Sequence, residues 1–245
     1  MTTTEQYGRF IAGDYLDYQA RYRRRLREND RVLIDILRAH LGDGPARVLD
    51  VGCSTGNLLY HLRHAMPHLD LVGGDLYQPI IEHCTADPEL AGITFRPMDI
   101  TDLPVDDPYD AVVANIVLFR FDDEVFRAAL HSIARALAPG GWFVAIDFYH
   151  EWDQDLVIRE RSETHPDGLL IHVRPRETVR EALRDAGFED PRFQPFHMPI
   201  DLPRPTEPND VSSHTRMMAD GTRLCFRGSI HQPWCFVIAR MPEMN

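Results

Sequence analysis

The stretch VLDVGCSTGN at residues 48–57 decides how the chain is read. Val48, Leu49 and Val51 make a short apolar strand interrupted by Asp50. Gly52 and Gly56 then turn the chain tightly into a helix whose first N–H groups face outward from the sheet edge. A strand, a glycine turn and a helix in that order form a nucleotide-binding turn. A dinucleotide fingerprint, G-x-G-x-x-G, would need glycine at 52, 54 and 57; this chain has Ser54 and Asn57, which disfavours NAD.

Outward from that turn, apolar runs and helical stretches alternate: ARVLDVG, then a helix over 57–66; LDLVGGD, then 78–84; ITFRPMD; YDAVVANIVLF, then 123–137; GGWFVAIDF. Continuous apolar strands flanked by helices imply a mostly parallel α/β sheet covered on both faces. Gly140 and Gly141, after Pro139, are expected to stop the helix 123–137 before a strand over 142–148. Upstream, Tyr15, Tyr18, Tyr22 and Leu26, then Val32, Leu33, Ile36 and Leu37, recur at spacings of three and four and predict two helices over 15–41. The basic cluster Arg21, Arg23, Arg24, Arg25 and Arg27 lies among Asp14, Asp17, Glu28 and Asp30, and reads as a solvated helix face.

Downstream, PRETVREALRDAGF predicts a helix closed by Gly187, FEDPRFQPF a strand and WCFVIARM a terminal strand. Between those strands, residues 197–234 carry Pro199, Pro203, Pro205, Pro208 and Pro233 and exceed the ~12 to 15 residues usual for a structureless loop. They predict a lid, a pocket wall or an oligomer arm. With 245 residues, 44% of them hydrophobic, a single domain over 1–245 is expected: a helical cap (1–44), a cofactor-binding core (45–150) and a C-terminal part completing the sheet (151–245).

The charge of −12, from 26 basic and 38 acidic residues, argues against nucleic acid and anionic membrane surfaces as partners. Neither a membrane span nor a signal peptide is evident, and Cys53, Cys84, Cys225 and Cys235 form no C-x-x-C pair, so a cytoplasmic protein with reduced thiols is expected. His61, His64 and His68 make too incomplete a set for zinc, and no metal site is expected.

The glycine turn resembles motif I of the class I S-adenosylmethionine-dependent methyltransferases, D-x-G-x-G-x-G, with Ser54 in place of the middle glycine. YDAVVANIV resembles motif IV of that family and LAPGGWFVAID the run before its fifth strand; with LDLVGGD and RPMDITDLP, five matches fall in order over residues 47–148. The resemblance implies an enzyme with a doubly wound, seven-stranded, mostly parallel sheet, preceded here by helices and carrying an insertion before its last strand. It implies S-adenosyl-L-methionine as cofactor, held by Asp50, Gly52, Cys53, Ser54, Gly56 and Asn115. Asp75 is placed to accept both ribose hydroxyls, Asp99 and the Ile100 amide to meet the adenine edge, and Leu76 and Ile100 to sandwich the ring.

The methyl acceptor is expected to be a small-molecule metabolite, methylated on oxygen or nitrogen; the alternatives are a protein or RNA acceptor, or a cofactor-binding protein without catalysis. Neither the N-P-P-[YF] motif of nucleobase amine methylation nor the acidic metal ligands of catechol O-methylation are present at the matching positions. Tyr149 and His150, after the fifth strand, are the candidate bases. Arg120, Arg223 and His231 are candidate substrate contacts, and one or two of the insertion arginines (Arg216, Arg223, Arg227) are expected either to clamp a substrate carboxylate or to balance Glu207, Asp210 and Asp220 on the surface. The proline-rich insertion makes a homodimer plausible.

Overall fold

The computed structural model describes residue 19 and residues 22–163 and 165–243. The first of the two helices expected over 15–41 lies largely outside the described residues, as do Arg21, Asp14 and Asp17. In chain order the elements are α1 (Glu28–Leu41), β1 (Ala46–Val51), α2 (Asn57–Ala65), β2 (Leu69–Asp75), α3 (Gln78–Ala86), β3 (Thr94–Pro97), β4 (Tyr109–Asn115), α4 (Asp123–Ala136) and β5 (Leu137–His150). They continue through β6 (Leu156–Glu160), β7 (Leu169–Pro175), α5 (Arg176–Asp185), β8 (Glu189–Pro195), β9 (Ser213–Met217), β10 (Arg223–Arg227), β11 (Ile230–Gln232) and β12 (Trp234–Arg240).

The main sheet runs β3-β2-β1-β4-β5-β12-β8. β1 pairs in parallel with β2 and β4, and β4 with β5, whereas β12 is antiparallel to β5 and to β8. This is the doubly wound, mostly parallel seven-stranded order that the sequence resemblance implied. From β1 the chain moves outward to β2 and β3 and returns to β4 on the other side of β1. The carboxyl ends of β1 and β4 therefore flank the crevice where open α/β sheets bind ligands.

Alternation along each strand divides the core into two apolar layers. Leu49, Val112, Phe143 and Val237 face α4 and α5, where Phe126, Leu130, Ile133 and Leu183 cover them. Val48, Val113, Val144 and Phe236 face α1 and α2, against Leu33, Leu37, Leu59 and Leu62. At roughly 1.5–3 kcal/mol per fully buried large aliphatic or aromatic side chain, these layers are the main favourable contribution to folding.

Three expectations are corrected. Helix α4 ends at Ala136, and Leu137 already begins β5, so Gly140 and Gly141 do not separate helix from strand. They lie where the β4–β5 register shifts between Tyr109 and Ala111; Gly140 has φ +74°, and a Cβ on Gly141 would sit 2.8 Å from the Ala138 carbonyl oxygen. The hairpin β6–β7 was not anticipated. It attaches through β7 to the last two residues of β5, Tyr149 opposite Arg174 and His150 opposite Pro175. Finally, the insertion forms its own antiparallel sheet, β9-β10-β11, with β10 and β11 joined at Gly228 (φ +55°) and Ser229. The prolines at 199, 203, 205 and 208 are confined to the segment before it, where no ladder hydrogen bond is needed from them.

Candidate active site

Three residues of the turn after β1 adopt left-handed backbone: Gly52 (φ +72°), Ser54 (φ +49°) and Gly56 (φ +72°). Glycine at 52 is required twice over, since a Cβ there would also lie 2.6 Å from Val117 Cγ2. Ser54 takes its unfavourable conformation because the surroundings hold it: its N–H donates to Asp75 Oδ2 at 3.1 Å, and the N–H groups of Gly52 and Cys53 donate to the Gly74 carbonyl at 2.7 and 3.0 Å. The turn is thus sewn to the end of β2 by three backbone donors. The departure from the family glycine is absorbed locally.

The carboxylates expected to hold the cofactor sit in different environments. Asp50 is 2% exposed, and its Oδ1 has no hydrogen-bond partner among the described residues. Burial, followed by the neighbouring carboxylates Asp30 and Asp75, pushes its acid well above the usual carboxylate range. Asp75 is equally buried and accepts one backbone N–H on each oxygen, from Ser54 at 3.1 Å and Tyr77 at 3.0 Å. Asp99, beyond the end of β3, is exposed and closes an Asx-turn, its Oδ1 taking the Thr101 N–H at 2.9 Å and hydroxyl at 2.7 Å. Leu76 is 46% exposed whereas Ile100 is buried. Asn115, the last residue of β4, donates through Nδ2 to Asp30 Oδ1 at 2.9 Å. Cys53 is buried in the turn, and burial raises its thiol further still.

Two charged residues that the sequence placed on a solvated helix face are buried instead. Asp30 is 2% exposed and Arg23 is 3% exposed. Arg23 donates to the Thr55 carbonyl at 3.0 Å, to Asn57 Oδ1 at 3.2 Å and to Asp87, so it braces the first turn of α2 against the loop after α3. Periodicity on a short segment could not separate these two from their exposed neighbours, because their distant partners lie 32 to 85 residues away.

On the acceptor side, β5 presents alternate residues to opposite faces. Phe148 lines a narrow cleft that encloses only about 10 Å³, together with Ile171, Val173, Arg227, Ile230, His231 and Gln232. Tyr149 points the other way. It is 2% exposed in the layer under α4 and α5, edge-on to Phe193 at 6.3 Å, and burial raises its phenol well above the ordinary value. That placement removes Tyr149 from the cleft. His150 is 7% exposed, accepts the Trp152 N–H on Nδ1 at 3.2 Å, and has a buried Nε2 without a partner among the described residues.

The arginine clamp is not assembled as expected. Arg223 donates to Asp201 at 2.7 Å on the surface, and Arg227 binds Glu160 through two nitrogens at 3.1 and 3.2 Å. Both guanidinium groups already have protein carboxylates, so neither offers an uncompensated charge to a substrate. Arg216 is exposed on β9, and Arg120 lies over the Phe119 ring at 5.2 Å. Sequence reading also missed Arg174, 1% exposed, which packs over Phe126 at 4.3 Å and donates to the carbonyls of Leu118 and Phe121 and to Asp123. Asp147, wholly buried, accepts from Phe119 N–H and Phe148 N–H, each at 2.9 Å. Together Arg174 and Asp147 clamp the 118–121 turn between the two halves of the site. No group of three metal-ligating side chains is assembled among the described residues, and none of their helices is long and apolar enough to cross a membrane.

Comparison with known proteins agrees with this geometry. A methyltransferase-domain family model matches residues 48–141. A ubiquinone/menaquinone biosynthesis C-methyltransferase, UbiE, of Desulfotalea psychrophila is 26% identical over 179 residues, 64% of this chain and 72% of that protein. A demethylmenaquinone methyltransferase of Thermus thermophilus is 32% identical over 111 residues, 44% of this chain and 50% of that protein. Among solved structures, the 1,6-didemethyltoxoflavin-N1-methyltransferase of Burkholderia thailandensis superposes with a TM-score of 0.63 at 19% identity, covering 99% of this chain and 92% of that one; this likeness concerns the fold. The residues present also suit the cofactor: a buried carboxylate oxygen lacks a partner at Asp50, and the missing Cβ of Gly52 keeps the turn tight against Val117. From motif order, relatives and fold together, residues 48–141 are a methyltransferase domain, and the findings support an S-adenosylmethionine-dependent methyltransferase of the class I kind.

Proposed function

We propose that the chain methylates an oxygen or nitrogen of a small, largely apolar metabolite seated in the cleft at the carboxyl end of β5. The observation that carries this reading is the cleft itself. Phe148, Ile171, Val173 and Ile230 form its apolar walls, and its one guanidinium, Arg227, is neutralised by Glu160. The lining suits an apolar acceptor, and the space it encloses, about 10 Å³, is room for a single water, so the walls must part to seat one. A ubiquinone/menaquinone biosynthesis C-methyltransferase and a demethylmenaquinone methyltransferase among the relatives, and a 1,6-didemethyltoxoflavin-N1-methyltransferase among the fold neighbours, support a small-molecule acceptor without favouring oxygen or nitrogen over carbon. The charge of −12 speaks against RNA.

In this reading Asp75 accepts the ribose hydroxyls with the lone pairs its backbone donors leave, Leu76 and Ile100 flank the adenine, and Asp99 meets its edge. Asp50, Asn115 and the Gly52–Gly56 turn hold the amino-acid end. The cofactor supplies an activated methyl group. The chain's own work is then to hold the acceptor in line with it, an advantage of about 7 to 11 kcal/mol when orientation is good. Because Nδ1 of His150 accepts the Trp152 N–H, its Nε2 carries the ring proton, so in this arrangement His150 is suited to donate a hydrogen bond to the acceptor and not to take its proton. His231 lines the cleft mouth on β11.

Transfer of a labelled methyl group from the cofactor, followed by size fractionation of a cell extract used as acceptor, tests the proposal. Label in the fraction below 1 kDa, abolished when bulk is introduced by Ile230→Trp, supports it. Label in protein or RNA alone refutes it.

A further inference from the structure

Residue Asp30 stands outside the family-matched stretch 48–141 and outside every motif, yet it is buried at the crevice. It comes from the first turn of α1, and Asn115 Nδ2 at the end of β4 and Asn29 Nδ2 both donate to its Oδ1, at 2.9 and 3.0 Å. Asp50 approaches from the end of β1 on the same face of the sheet, with an oxygen that no described residue satisfies. Three elements thus bring two buried carboxylates and one amide to a single point. A buried carboxylate without a counter-charge is costly, by several kcal/mol in real proteins, and such groups occur where a cation is bound or a proton retained.

Among the described residues no cation is hydrogen-bonded to either acid. The charged neighbours of Asp50 are Asp30 and Asp75, both acids. Around Asp30, Arg27 and His61 act only through space, without a hydrogen bond to it, and burial lowers the affinity of His61 for a proton. Asp75, facing the same point from β2, is held by the Ser54 and Tyr77 amides, and the Cys53 thiol remains protonated.

We propose that Asp30 is a further cofactor-binding residue, which with Asp50 forms an acid pair that keeps one proton in the free protein and releases it when the cofactor's α-ammonium cation is seated. The inference rests on the family assignment of the cofactor. Without the cation two adjacent carboxylates in low dielectric cannot both ionise cheaply, so one carries a proton. The arriving ammonium compensates the second negative charge, the carboxylic O–H breaks, and its proton passes to the buffer. Burial raises both acids above the ordinary carboxylate value. Affinity for the ammonium-bearing cofactor therefore rises with pH until the free pair is fully ionised.

The test is calorimetric titration of the whole chain with S-adenosylhomocysteine, which carries the same ammonium, at pH 6.5 in phosphate and in imidazole, whose ionisation enthalpies differ. A titration with 5′-methylthioadenosine, which lacks the amino-acid end, runs alongside. Expected are proton release with S-adenosylhomocysteine, none with 5′-methylthioadenosine, and for Asp30→Asn loss of the release together with roughly tenfold or weaker binding at pH 8, as for one lost charge-assisted hydrogen bond. Equal proton numbers for the two ligands, or binding of S-adenosylhomocysteine without release, would overturn the pair while leaving the cofactor site standing. Absence of any S-adenosylhomocysteine binding by the wild type would overturn the cofactor reading and the pair with it. The comparison of the two ligands uses the wild type alone, so it stands even where Asp30→Asn does not fold.

Discussion

Asp147→Asn should reverse its effect with pH. The wild-type carboxyl is wholly buried, and burial pushes it up to about 7 despite the amide donors of Phe119 and Phe148 and the nearby Arg174 charge. In the unfolded chain the same acid titrates near 3.9. A folded value above the unfolded one means that its stabilising contribution is fully present below about pH 3.9 and is lost as pH rises through about 7. Between pH 5 and pH 8 the wild type should therefore lose roughly 2 to 3 kcal/mol from this group. The asparagine is close in shape to the protonated acid but turns one acceptor into a donor facing a backbone N–H. It loses about 1–3 kcal/mol at every pH and has no titration of its own. At pH 5 the variant should melt below the wild type; by pH 8 the gap should narrow or invert, a relative change of about 4 to 12 °C at 2–4 °C per kcal/mol for a chain of this size. Thermal melts of both proteins at the two pH values measure this, and contributions from distant titrating groups cancel in the difference. The same melting-temperature difference at pH 5 and pH 8 would show that Asp147 does not titrate in this interval.

Other perturbations separate the parts of the site. Gly52→Ala combines a left-handed φ with a Cβ 2.6 Å from Val117, so denaturant unfolding should show about 2 to 5 kcal/mol of destabilisation from the two causes together, and titration should show weaker cofactor binding. Arg174→Met keeps the contact with Phe126 but strands the Leu118 and Phe121 carbonyls; a loss of roughly 2–4 kcal/mol is expected, with a raised KM for the acceptor. Glu160→Gln breaks the bidentate pair with Arg227 that ties the β6–β7 hairpin to the insertion sheet; hydrogen exchange of residues 223–232 should quicken while affinity for S-adenosylhomocysteine is unchanged.

The central sheet was legible because its strands are continuous apolar runs, buried on both faces, and each ends in a turn with its own chemistry. Asp50, Gly52, Asp75 and Asn115 could be placed on strand ends from spacing alone. The β6–β7 hairpin escaped because LVIRE and LLIHVRP alternate only weakly, with Val157 and Leu170 apolar on the exposed side. The burial of Arg23, Asp30 and Arg174 was illegible for a different reason. Each is bonded by atoms 32 to 85 residues distant, so no local pattern distinguishes it from a solvated charge. The insertion arginines failed in the same way, because Asp201 and Glu160, their partners, precede them by 22 and 67 residues.

These long-range contacts also determine how the two halves of the site communicate. In the proposed reading the cofactor side is built on the ends of β1, β2 and β4, and the acceptor cleft on the end of β5 with β7 and β11. Between them runs the segment 116–121. Ile116 is held at φ +61°, a conformation that strains a β-branched residue, and Val117 packs against the glycine turn. Phe119 packs against Phe148 of the cleft, the ring centroids 5.4 Å apart and the planes tilted by 57°. Asp147 fixes this segment by the Phe119 amide, and Arg174 fixes it by the Leu118 and Phe121 carbonyls. Since in-line transfer tolerates little displacement of the acceptor, a buried carboxylate and a buried guanidinium that bond only backbone here serve the distance between the two ligands, without either side chain having to touch them.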